Sequence, residues 1–70
     1  MAPSAGIGEF LRAARVSQGM TLRELGVAVG LSAPTLSRYE RGRLVPTWAA
    51  MKAIAHALGV SVRTARAWLR

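Results

Sequence analysis

Seventy residues make one small domain, and ten Arg/Lys against three acidic residues leave it a net charge of +7. With no cysteine and a lone His56, the chain has neither a disulfide nor the residue set of a metal site. No apolar run approaches the ~18 residues that span a bilayer, and MAPSAGIGEF lacks the basic region and apolar stretch of a secretion signal, so a cytoplasmic domain is expected.

Residues 1–5 read as a flexible N-terminal tail, with the domain proper over 6–70. The first helical segment, IGEFLRAARVSQ, places Ile7, Leu11 and Ala14 on one stripe beside Phe10 and stops at Gly19. The second opens with Thr21-Leu-Arg-Glu24, a capping box in which the threonine satisfies a free amide and the glutamate reaches back. It ends at Gly30. Ser32 then caps a third segment running to Gly42, and Pro34 is harmless in its first turn, where amides lack intrahelical partners. RLVP connects to Thr47, the cap of a fourth helix, WAAMKAIAHAL, in which Met51, Ile54, Ala55 and Leu58 keep i, i+3, i+4, i+7 spacing as far as Gly59. Ser61 opens a fifth segment, VRTARAWLR, to the last residue. With no alternating strand pattern, five short helices predict a compact all-α domain.

The most informative spacing lies in residues 21–42. Two short helices meeting near 90–120° need a turn residue tolerant of positive φ, supplied by Gly30, and a small residue where they cross, supplied by Gly26. Leu25, Val29, Leu31, Leu36 and Tyr39 hold the pair on the core. Ala33, Pro34, Ser37, Arg38 and Arg41 are left on the outer face of the third helix. A net positive domain with such a face has a natural polyanionic partner, nucleic acid or more weakly an anionic membrane.

This order of motifs resembles the Cro/repressor-type helix-turn-helix family, also called the xenobiotic-response-element family. The resemblance runs from Ile7 to about Ala65: IGEFLRAAR, GMTLRELGVAVGLS across the turn, TLSRYERGR, and P-T-W followed by AIAHALGVS. It implies a five-helix lambda-repressor-like fold with the helix-turn-helix at about 21–42. It further implies that the third helix lies in the major groove of double-stranded DNA, with Ala33, Pro34, Thr35, Ser37 and Arg38 reading bases. Phosphates would meet the helix starts at Thr21–Arg23 and Thr47–Trp48, together with Arg41 and Arg43. Many members carry a phosphate-contacting glutamine where this chain has Leu22, so Arg23 is expected to compensate. The family's inward-facing glutamate on the third helix is Glu40 here, and its arginine partner on the first helix is Arg15, which makes these two a structural ion pair.

The resemblance implies a sequence-specific transcriptional regulator, repressor-like, that acts by occupying a palindromic operator as a homodimer on DNA. Apolar Ala33 and Pro34 suit thymine methyl groups, and Arg38 suits the O6 and N7 of guanine. The alternative is a protein-interaction or antitoxin-type module on the same fold, which should lack basic residues on the third helix. No nucleophile–base set, phosphate-cradling loop or metal cluster supports an enzyme, and no cofactor or small-molecule site is evident. Trp48 has a second reading, covering the edge of the core, while His56 reads as a surface or boundary residue and Lys52, Arg12 and Arg63 as solvated charges, any of which could graze a distant phosphate. At the C-terminal end, either Val62, Ala65 and Leu69 dock the fifth helix on the core, or Trp68 and Leu69 begin a dimer surface or lead into a larger effector domain.

Overall fold

The computed structural model describes residues 3–67, and for residues 3–5 the backbone alone. Its five helices are α1 (Pro3–Ser17), α2 (Leu22–Val29), α3 (Ala33–Glu40), α4 (Trp48–Ala57) and α5 (Val62–Ala67), with no strand among the described residues. The domain is all-α. Each start agrees with the sequence-based expectation to within a residue except that of α1, which opens at Pro3 rather than Ile7, so residues 3–5, expected as tail, are helical in backbone. Proline is well suited to a first helical position, because its φ is already helical and its missing N–H has no intrahelical partner to lose.

Local chemistry accounts for the helix boundaries. Thr21 and Glu24 form the capping box, Glu24 N donating to Thr21 Oγ1 at 3.0 Å and Thr21 N to Glu24 Oε1 at 2.8 Å. Ser32 Oγ accepts from Thr35 N, and Thr47 Oγ1 from Ala50 N. Gly30, at φ 72°, takes the left-handed conformation that ends α2 and turns the chain into α3. At the far end of α3, Gly42 N donates to the Tyr39 carbonyl and Arg43 N to the Arg38 carbonyl, the paired bonds of a Schellman motif. That motif fixes where the backbone carries Arg43.

The core is the predicted one except that Ala14, Val29 and Leu31 are half-buried against its edge. Ile7 and Leu11 from α1, Leu25 from α2, Leu36 and Tyr39 from α3, and Met51, Ile54, Ala55 and Leu58 from the α4 region are buried around one centre. The six largest fully buried side chains contribute about 2 kcal/mol each, so a core this small depends on each of them. Ala65 anchors α5 with no exposed surface, whereas Val62, offered as part of the same seam, remains 38% exposed at its start. Leu69 lies outside the described residues.

Two glycines set how closely the elements approach. A Cβ on Gly26 would lie 2.5 Å from the Leu31 carbonyl oxygen, so the need for a small residue there comes from the turn's backbone rather than from side chains of the crossing helix. A Cβ on Gly8, in the middle of α1, would lie 2.5 Å from the Tyr39 carbonyl oxygen and 2.6 Å from that of Glu40. The backbones of α1 and α3 are therefore in direct contact at the end of the helix-turn-helix, an approach that the sequence pattern does not reveal.

Candidate nucleic-acid interface

Helix α3 has eight residues, about 12 Å of helix, and its diameter with side chains, about 10–12 Å, matches the ~12 Å width of a DNA major groove. Leu36 and Tyr39 point to the core, so the opposite face is set by helical geometry. Pro34, Arg38 and Arg41 are exposed there, and Arg43 is exposed in the loop that follows. Ala33, Thr35 and Ser37 are half-buried along the borders of that face. The Thr35 hydroxyl lies 2.8 Å from Ser32 Oγ, which commits it to the helix cap. The Ser37 hydroxyl has no hydrogen-bond partner among the described residues.

Glu40, the single acid on α3, turns away from that face. Its carboxylate takes a two-pronged grip from Arg15 of α1, Nε to Oε2 at 2.6 Å and Nη2 to Oε1 at 3.0 Å. Arg15 Nη1 adds a bond to the Met20 carbonyl oxygen at 2.7 Å, so one guanidinium joins α1, the loop before α2, and α3. The side chains of Arg15 and Glu40 are only 13% and 7% exposed. The hydrogen bonds it donates to Glu40 hold the arginine's pKa above its ordinary value against the opposing effect of burial. The outer face of α3 thus keeps its positive charge unopposed by its own acid.

The two other predicted anion-facing points are helix starts. At α2, Thr21 is exposed and serves as the cap, and Arg23 is exposed beside it. Glu24 occupies part of this start, and the amide and hydroxyl of Thr21 hold its carboxyl below the usual range. The amides of Leu22 and Arg23 remain without an intrahelical acceptor. At α4, Thr47 is again the cap, and Trp48 begins the helix 40% exposed. The Trp48 ring faces two cations, with Lys52 Nζ 6.0 Å and the Arg66 guanidinium carbon 5.9 Å from its centre. Sequence reading left Lys52 as a solvated charge and gave Arg66 no role, and the signal available was the i, i+4 spacing of Trp48 and Lys52. Trp68 and Leu69, the candidate dimer surface, lie outside the described residues.

A pocket of about 210 Å³ opens between α1, α2 and α3, lined by Arg12, Arg15, Leu22, Ser37, Glu40 and Arg41. Among the described residues no group of three or more His, Asp or Glu is placed to hold a metal ion, and no helix is long and apolar enough to cross a membrane.

Known proteins share this fold. The helix-turn-helix domain family's sequence model matches residues 7–69. Over 52 residues the chain is 46% identical to the transcriptional regulator ClgR of Mycobacterium tuberculosis, a match covering 74% of this chain and 46% of that protein. The chain therefore spans about half the length of the curated relatives it matches. Among solved structures, the clp gene regulator ClgR from Corynebacterium glutamicum superimposes with a TM-score of 0.90 at 35% identity, covering 99% of this chain and 73% of that one. The restriction-modification controller protein C.AhdI from Aeromonas hydrophila superimposes with a TM-score of 0.87 at 25% identity, covering 93% and 98%.

Proposed function

Because the chain belongs to the helix-turn-helix domain family, we propose that it is a sequence-specific, double-stranded-DNA-binding transcriptional regulator that acts in the cytoplasm by occupying its operator rather than by catalysis. The observation that carries this reading is the division of α3: Arg38 and Arg41 face solvent, while Glu40 is turned inward onto Arg15. A helix built this way meets a polyanion without repelling it. The relatives named as transcriptional regulators and as a restriction-modification controller support the same reading.

Helix α3 enters the major groove with Ala33 and Pro34 against thymine methyl groups and Arg38 on a guanine. Thr35 holds the cap of that helix. The starts of α2 and α4, at Thr21, Arg23, Thr47 and Trp48, and the side chains of Arg41 and Arg43, track the backbone. Two copies bind a palindrome with half-sites about 34 Å apart or a multiple of that, one helical turn of DNA.

Selection from a random duplex library at stated salt tests this directly, with a two-fold symmetric motif as the expected product. A library that emerges unenriched would instead favour a protein-binding role for the fold. Arg38→Ala should relax preference at one base position at a cost of ~1–3 kcal/mol. Arg43→Ala should weaken all sequences alike and flatten the salt dependence. Equal loss on operator and random DNA for Arg38→Ala would remove it from the reading set.

A further inference from the structure

We propose that the pocket between α1, α2 and α3 is a seat for one DNA backbone phosphate, held between Arg12 of α1 and Arg41 of α3 with the Ser37 hydroxyl as a third donor. The inference rests on the DNA-binding reading above and assigns to the phosphate-contacting set a helix, α1, otherwise treated as scaffold.

Charge within the pocket is the first argument. Its lining carries three arginines and one glutamate, and both Glu40 oxygens are already engaged by Arg15. Arg12 and Arg41 are exposed, and their side chains have no hydrogen-bond or ion-pair partner among the described residues. Two cations without a counter-charge around one concavity favour an anion, and guanidinium groups suit the oxygens of a phosphodiester.

Position is the second argument. Arg41 follows Ser37 by one helical turn, so both line the border of α3 that runs beside its outward face. A phosphate there flanks the groove that α3 occupies. Ser37 then serves the backbone rather than a base, and its hydroxyl gains the partner it lacks among the described residues.

The test measures dissociation constants for Arg12→Ala and the unaltered chain on the selected operator and on a random duplex, as a function of salt. Arg12 is exposed on α1, so alanine preserves the helix. The expected result is about a tenfold loss on both duplexes, with the slope of log K against log salt reduced by about 0.9, the value of one phosphate contact. Arg12→Ala combined with Arg41→Ala should lose less than the product of the single losses, because the two share one phosphate. Unchanged affinity and slope for Arg12→Ala, with the unaltered chain still binding DNA, would overturn the pocket assignment alone. Loss on the operator but not on random duplex would overturn it too, since it would make Arg12 a base reader. A chain that binds no duplex at all would overturn the DNA-binding reading instead. Inorganic phosphate titrated into the DNA-free chain provides the remaining arm: saturable shifts of the Arg12 and Arg41 side-chain resonances, with an unaltered Arg12→Ala salt slope on DNA, would assign the pocket to a free anion and overturn the duplex contact.

Discussion

Gly8→Ala is expected to destabilise the domain by about 2 kcal/mol, lowering its unfolding midpoint by roughly 8–16 °C. By helix propensity alone the change should stabilise α1, since alanine is favoured over glycine by about 1 kcal/mol in a helix interior. The structure reverses the sign. The added methyl would lie 2.5–2.6 Å from the carbonyl oxygens of Tyr39 and Glu40, and those are backbone atoms of a packed helix that cannot rotate away. Helix α1 must move off the last turn of α3, which loosens the burial of Ile7 and Leu11 and displaces the stretch carrying Arg38 and Arg41. Thermal denaturation followed by circular dichroism measures the effect. A midpoint equal to or above that of the parent chain would show that the α1–α3 approach has slack, and would remove Gly8 from the residues that place α3.

Arg15→Met should cost about 3 kcal/mol, because it leaves the 7%-exposed Glu40 carboxylate without either of its charged hydrogen bonds. The Met20 carbonyl loses its donor in the same step. Replacing both members of the pair, Arg15→Met with Glu40→Leu, should restore most of the loss, since a buried ion pair and a well-packed apolar pair of similar volume are often nearly equivalent in stability. Urea denaturation of the two single variants and the double variant separates these terms. DNA affinity then reports whether the pair positions α3: the double variant should fold yet bind operator less tightly than the parent. If Arg15→Met alone kept both stability and affinity, the pair would be neither a fold determinant nor a positioning device.

The two substitutions probe features of very different legibility. The capping box at Thr21 and Glu24, the Ser32 and Thr47 caps and the stop at Gly30 were readable because each is completed within four residues of chain. The inward set of Leu25, Leu36, Met51, Ile54 and Leu58 was readable because helical periodicity sorts residues by face before any tertiary contact exists. The outer face of α3 follows from the same periodicity, which is why Pro34 and Arg38 were placed there from spacing alone. The Arg15–Glu40 pair spans 25 positions, and only resemblance to a known family pointed to it. Nothing local marked Gly8, which lies within an ordinary helical stretch that reads the same whether or not another backbone touches it.

What the sequence determined by itself is the set of five helices, their caps, the apolar faces that bring them together and the basic face that remains outside. Those properties depend on chemistry acting over one or two turns of a single helix. Only the tertiary structure decided how near the helices lie: the contact of α1 with α3 at Gly8, the third bond from Arg15 to Met20, the approach of Arg66 as well as Lys52 to the Trp48 ring, and the gathering of Arg12, Ser37 and Arg41 around one pocket. These depend on distances between residues far apart in the chain. Such distances are set by how all the buried side chains pack at once, and no short stretch of sequence contains them.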